Sequence, residues 1–99
     1  MNFELLISPI ALSEMDDAYA FYENSSAGLG DRFLKSLEDT YKKLSQAPKY
    51  YSYITKAKDL RDVKLKDFPF VVIFQIVNDQ VLVLRVFNTN RNPYSLKHL

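Results

Sequence analysis

The sequence predicts an α+β domain in the order β-α-α-β-β-β, a helical hairpin packed on one face of a mostly antiparallel sheet of about four strands. Three observations predict it. Two consecutive segments carry apolar residues at helical spacing. Two β-branched and aromatic runs, Phe70–Val77 and Val81–Phe87, flank the turn signal Asn78-Asp79-Gln80. The chain has 99 residues, 47% of them apolar, which suits one domain spanning residues 1–99 with a real core.

Each element has a local reason. Phe3–Ile7 is a short apolar run suited to a strand. In Ser8-Pro9, serine suits an N-cap, and proline suits the first helical position because its missing N–H costs nothing there. Ala11, Met15, Ala18 and Tyr22 then share one helical face, and the helix should stop near Asn24-Ser25-Ser26. After a break at Gly28, a second helix starts around Leu29-Gly30-Asp31, with about five residues joining the two. Its stripe is Phe33, Leu34, Leu37, Tyr41 and Leu44, and Pro48 closes it. Asp31 complements its N-terminal dipole, and Lys42 and Lys43 its C-terminal one.

Lys49–Lys58 resists placement. Tyr50, Tyr51 and Tyr53 are polar at the tip and large for an idle loop, and their role stays open. Leu60–Leu65 reads as a strand, Phe68-Pro69 as a bend, and Phe70–Val77 as the central strand. Alternation along the last strand puts Leu82, Leu84 and Val86 toward the helices, and Val81, Val83, Arg85 and Phe87 on the open face. Residues 89–99 read as a flexible C-terminal tail.

Composition excludes several function classes. There is no run of 18 uncharged apolar residues for a membrane span, and Met1-Asn2-Phe3-Glu4 does not resemble a signal peptide. Without cysteine there is no disulfide, thiolate metal site or cysteine nucleophile. The expectation is a cytoplasmic protein with no cofactor and no metal. The net charge of +1 hides a split, −4 over residues 1–46 and +5 over residues 47–99, which suits an anionic partner or an unevenly charged solvated surface.

Most catalytic patterns are missing. Gly28-Leu29-Gly30 lacks the third glycine, the lysine and the preceding strand of a phosphate loop. His98 sits in the tail, where a solvated role is expected. Asp16-Asp17 and Glu38-Asp39 are adjacent helical positions, about 100° apart, and read as solubilising charge rather than carboxylate dyads. The arginines say more. An arginine among apolar strand residues needs water or an acid. For Arg85 an ion pair with Asp62 or Asp79 competes with a functional role. Arg61 shares parity with Val63 and Leu65 and would turn inward unless a strand end or bulge intervenes. Arg91, alone between Asn90 and Asn92, serves no core and points to function.

The ordered set Ser8-Pro9-Ile10-Ala11-Leu12, Ala18-Tyr19, Tyr22-Glu23, Gly28-Leu29-Gly30-Asp31-Arg32-Phe33-Leu34, Leu37-Glu38, Leu44, Pro48, Leu60-Arg61, Phe68-Pro69-Phe70 and Val83-Leu84 through Phe87-Asn88-Thr89-Asn90-Arg91-Asn92-Pro93 resembles the RelE/ParE superfamily of type II toxin–antitoxin toxins. The resemblance covers roughly residues 3–94 and no single motif carries it. It implies a small bacterial toxin of a plasmid-stabilisation module, neutralised by a cognate antitoxin in a hetero-oligomer. The ParE-like branch acts by binding DNA gyrase. The RelE-like branch acts on the ribosome as an mRNA interferase, a metal-independent endoribonuclease with basic and aromatic residues on the open sheet face. Val71 stands where ribonuclease members often carry an arginine, Asn88 where a histidine is frequent, and the helical hairpin opened by Gly28-Leu29-Gly30 is ParE-like. The resemblance therefore implies a gyrase-binding toxin. The alternatives are an interferase, whose candidate catalytic residues are Arg61, Lys64, Arg85, Arg91 and Tyr94, or a toxin fold without poisoning activity.

Overall fold

The structure, a computed structural model, describes residues 2–90. Arg91, Tyr94 and His98, and all of the expected tail beyond Asn90, lie outside the described residues. Within them the order is β1 (Glu4–Ile7), α1 (Pro9–Ser25), α2 (Leu29–Gln46), a one-turn 3₁₀ helix (Pro48–Tyr50), β2 (Tyr53–Thr55), β3 (Leu60–Lys64), β4 (Phe70–Val77) and β5 (Gln80–Asn88).

The sheet has five strands in the order β1-β5-β4-β3-β2, with β4 in the middle. The fifth strand is β2, three residues within the stretch that the sequence left unplaced. It is too short to show a period, and only its pairing with β3 makes it a strand. The β1–β5 pair is parallel and the other three are antiparallel. Thr89 donates its N–H to the Pro69 carbonyl at 2.8 Å, so the ladder's influence reaches one residue past β5.

Ser8 caps α1 as its sequence suggests, its Oγ accepting the Ala11 N–H at 3.0 Å. The same hydroxyl donates to the Leu84 carbonyl at 2.8 Å and so ties the helix start to the sheet. The helices are joined by three residues, Ser26-Ala27-Gly28, rather than about five. Gly28 makes the tight turn with φ 87°, in the left-handed region that glycine tolerates. Glu23 then reaches across from the last turns of α1. Its carboxylate accepts the N–H groups of Gly28 (3.0 and 3.1 Å) and Gly30 (3.0 Å). An anion is favoured at a helix N-terminus, so Glu23 replaces the side-chain cap that Gly28 lacks.

Both helices pack on one sheet face. Ala11 and Ala18 of α1, and Phe33, Leu37 and Leu44 of α2, are buried against Phe70, Val72, Phe74, Val81, Val83 and Val86. Fully burying a side chain such as Phe33 or Leu37 contributes about 1.5–3 kcal/mol. Tyr22, Phe33, Phe68 and Phe70 form an edge-packed aromatic group at one end of this core, with ring centroids 5.0–6.2 Å apart.

The facing of β5 corrects the simple alternation. Val81 and Val83 are fully buried on the helix side, so Leu82 and Leu84 turn away from it. A bulge explains this. Ile73 pairs with Arg85 and Phe74 with Val83, which leaves Leu84 as an extra residue. One extra residue shifts parity by one, so Arg85 and Phe87 face away from the helices while Val86 faces them.

Candidate functional site

The sheet face away from the helices holds the candidate site. Register places its rows. Leu6, Leu82 and Gln75 lie side by side across β1, β5 and β4; Arg85, Ile73 and Asp62 form the next row; Phe87, Val71 and Lys64 follow. Leu60, Val71, Ile73 and Phe87 make a small buried cluster here, with Ile54 and Leu84 packed against it. Leu6 and Val77 are exposed by 42% and 41%. A cavity of 450 Å³ opens on this face, lined by Leu60, Ile73, Gln75 and Leu84 with Lys58 and Arg85. The result is an apolar floor with a cationic rim.

Arg85 is held by Glu14, not by Asp62 or Asp79. Its Nε donates to Glu14 Oε1 and Oε2 at 3.0 and 3.1 Å, and its Nη2 donates to Oε2 at 2.7 Å. The bidentate hydrogen bonds raise the guanidinium pKa above its ordinary value, against the effect of partial burial. Topology explains the partner. β1 pairs with β5 only up to Val83, so from Leu84 onward that edge of β5 is beyond β1's reach. Glu14 covers it, Oε1 accepting the Val86 N–H at 2.9 Å while the carboxylate draws Arg85 around the edge. A groove of 260 Å³ runs beside this pair, between α1 and the end of β5, with Phe21 on its outer wall.

Arg61 does turn toward the helix layer, as its parity implies, and no bulge in β3 is needed. Its Nη1 donates to the carbonyls of Lys49 (3.2 Å) and Tyr51 (2.5 Å). Its guanidinium carbon lies 4.0 Å from the centroid of the Tyr53 ring. Arg61 Nε is buried with no hydrogen-bond partner among the described residues. These contacts anchor the segment from the 3₁₀ helix to β2, and they give Tyr53 a structural role as the surface on which Arg61 stacks. Tyr50 stays exposed and Tyr51 packs edge-on against both Tyr50 and Phe74.

Lys64 is exposed at the end of β3. Beside it on the same strand, Asp62 has its carboxyl pKa raised by burial, partly offset by the Lys64 charge. Val71 is 2% exposed. Asn88 accepts the Asn90 N–H at 2.9 Å through its side chain. Arg61, Lys64 and Arg85 are therefore not brought to one point: Arg61 anchors β2, Arg85 is neutralised by Glu14, and Lys64 stands apart. Arg91 and Tyr94 lie outside the described residues. Among the described residues no cluster of His, Asp and Glu could hold a metal ion, and no helix is long and apolar enough to cross a membrane.

Sequence reasoning missed Glu14 and the facing of Leu82 and Leu84. Glu14 sits 71 residues from Arg85 and one position before Met15 of the buried stripe, which marks it only as a helix-flank acid. Simple alternation puts Leu82 and Leu84 on the wrong face because nothing in the apolar run betrays the bulge.

No curated protein sequence matches the chain. A solved structure described as the chromosomal ParDE TA system from P. aeruginosa is similar in fold, with a TM-score of 0.77 at 17% identity, covering 87% of this chain and 95% of that one. The family model described as ParE toxin of type II toxin–antitoxin system, parDE, matches residues 5–93. With the helical hairpin, the five-stranded sheet and a match over nearly its whole length, this chain belongs to the ParE toxin family of type II toxin–antitoxin systems.

Proposed function

We propose that this chain acts in the cytoplasm by binding and inhibiting DNA gyrase, and that a cognate antitoxin neutralises it by covering the apolar, cation-rimmed sheet face. The observation that carries the binding mechanism is the engagement of Arg61 and Arg85 in structural contacts. An RNA-cleaving site needs groups that deprotonate the 2′-hydroxyl, stabilise the phosphorane and protonate the leaving oxygen at one point. Here the two arginines are occupied at separate places, and apolar Val71 fills the central-strand position. Family membership and the ParDE origin of the structural relative support the antitoxin. An extended or helical segment laid over Leu6, Leu82 and Leu84 would bury apolar area, and acidic residues on it would meet Lys58, Lys64 and the outer edge of Arg85.

The test is a gyrase supercoiling and cleavage assay with the purified chain, beside primer extension on mRNA after brief induction. Gyrase inhibition without ribosome-dependent cuts is expected. Ribosome-dependent cuts with untouched gyrase would replace this reading by the mRNA interferase. The antitoxin part is checked by co-purification with the product of the adjacent reading frame; no complex would refute it.

A further inference from the structure

Asn88 ends β5, and the chain reverses just beyond it. Thr89 and Asn90 form a turn in which the Asn90 N–H is donated to the Asn88 side chain at 2.9 Å. Thr89 is pinned on the β4 side: its N–H and its Oγ1 both donate to the Pro69 carbonyl, at 2.8 and 3.0 Å. Main-chain groups alternate between the two edges of a strand, so Val86 and Asn88 present theirs to the opposite edge. On that edge β1 stops pairing at Val83, and Glu14 takes the Val86 N–H at 2.9 Å. The main-chain N–H and C=O of Asn88 therefore face the groove of 260 Å³ between α1 and the end of β5, which Asn88 itself lines.

The groove has the chemistry of an arginine seat. Asp17 and Phe21, four residues apart on one side of α1, both line it. Asp17 is exposed and makes no ion pair among the described residues, whereas Glu14, the other acid, is matched by Arg85. Phe21 offers a ring that is 63% exposed. A guanidinium bonds a carboxylate with its edge and stacks on a ring with its face. We infer that this groove seats the chain's own residues 91–93, with Arg91 as the anchor. A two-residue turn pairs Asn88 with Arg91, and cross-strand partners share a face. Val86 faces the helices, so Asn88 and the Arg91 paired with it face them too, toward Asp17 and Phe21. Pro93 has no N–H for the Val86 carbonyl, and Glu14 already holds the Val86 N–H, so the ladder ends after one pair.

Three observations favour this occupant over a partner's segment. The groove is smaller than the roughly 300–1,000 Å³ of pockets that enclose a whole small ligand, and it suits one long side chain. Residues 91–99 include Arg91 and Lys97 and no acidic residue, which complements Asp17, and Asp17 repels an acidic segment. Arg91 is also tethered three residues after the groove-lining Asn88, which sets an effective concentration on the order of millimolar or more. Anything else that enters the groove must first displace residues 91–93, so its apparent affinity falls in proportion to the unseated fraction. This inference rests on neither the gyrase nor the antitoxin reading.

The test is ¹⁵N relaxation on the full-length chain. The amide order parameters of Arg91 and Asn92 should approach the value of about 0.85 found in rigid backbone, and Asp17→Asn or Phe21→Ser should each lower them to about 0.6 or less. Salt at about 1 M, where the screening length falls to about 3 Å, should lower them in the wild type as well. Asp16→Asn, next in sequence but outside the groove, should behave like the wild type. The exchanged pair Asp17→Arg with Arg91→Asp should recover the order that either reversal alone removes. Unchanged amide shifts across the sheet show that each variant is folded. Order parameters of about 0.6 or less in the wild type, order that survives Asp17→Asn or Phe21→Ser, equal effects of Asp16→Asn and Asp17→Asn, or no recovery in the exchanged pair would each overturn the proposal.

Discussion

Gly30 shows how much one side chain can matter in the hairpin. A Cβ there would lie 2.8 Å from two ring carbons of Tyr19 and 3.0 Å from Glu23 Cβ, closer than van der Waals contact allows. Alanine normally gains about 1 kcal/mol over glycine in a helix, but overpacking costs about 1–3 kcal/mol, so Gly30→Ala should be destabilising overall. The expected loss, read by urea denaturation, is partly recovered when Tyr19→Ala is added. A gain in the single variant would show that the helices can part at no cost. Asp62 makes a second residue-scale prediction. Burial raises its pKa in the folded chain, so the native state holds the proton more tightly than the unfolded one. Stability is therefore lost as pH rises from the ordinary carboxylate value through the raised one, and stays reduced above it. Asp62→Asn should raise the melting temperature at pH 7, with the advantage fading as pH falls toward 3. An advantage undiminished at pH 3 would rule out the charge as its cause.

At the scale of elements, what the sequence shows and what it hides follow a physical line. Ser8-Pro9, the stripe Ala11, Met15, Ala18 and Tyr22, and the break at Gly28 are local signals, and the helices begin and end where these signals lie. β4 is legible because its first five residues are buried on both faces and its apolar run is broken only by Gln75. The bulge at Leu84 is not legible, since Val81–Leu84 is apolar at every position and suits either facing. β2 is not legible either, because Arg61 and the β3 ladder make it. The candidate site follows the same line: its cations can be named from the sequence, but Glu14 as partner of Arg85 comes from where β1 stops. The bulge gives a sharp comparison. Val83 is fully buried on the helix side and Leu82 half-buried on the other. Val83→Asp should cost about 3 kcal/mol or more because it buries an unpaired charge, and Leu82→Asp only about 1 kcal/mol. Denaturation of both variants checks this, and the opposite ranking would restore unbroken alternation.

At the scale of the whole molecule, the two sides of the sheet divide the tasks: the helix side holds the fold, and the other side offers surface. Leu6 is at the division, on the edge strand that fixes the start of α1, yet exposed by 42% on the side facing away. Leu6→Glu should therefore leave the free chain's stability within about 0.5 kcal/mol, as for most surface substitutions. Its effect should appear only through binding. A partner present at 100 times its Kd stabilises the folded state by about 2.7 kcal/mol, and at about 4–8 °C per kcal/mol for a domain of this size the melting temperature should rise by roughly 10–20 °C. If the antitoxin lies over Leu6, Leu82 and Leu84, Leu6→Glu replaces an apolar contact with a charge facing an acidic segment. A tenfold loss of affinity removes about 1.4 kcal/mol, or about half of that rise. Phe21→Ser, on α1 and 63% exposed, should keep the full rise because it lines the groove between α1 and the end of β5 and not the row of Leu6, Leu82 and Leu84. Thermal unfolding of each variant with and without the antitoxin measures both. If Phe21→Ser loses the shift and Leu6→Glu keeps it, the antitoxin sits in the groove between α1 and the end of β5, and the sheet face is left for gyrase.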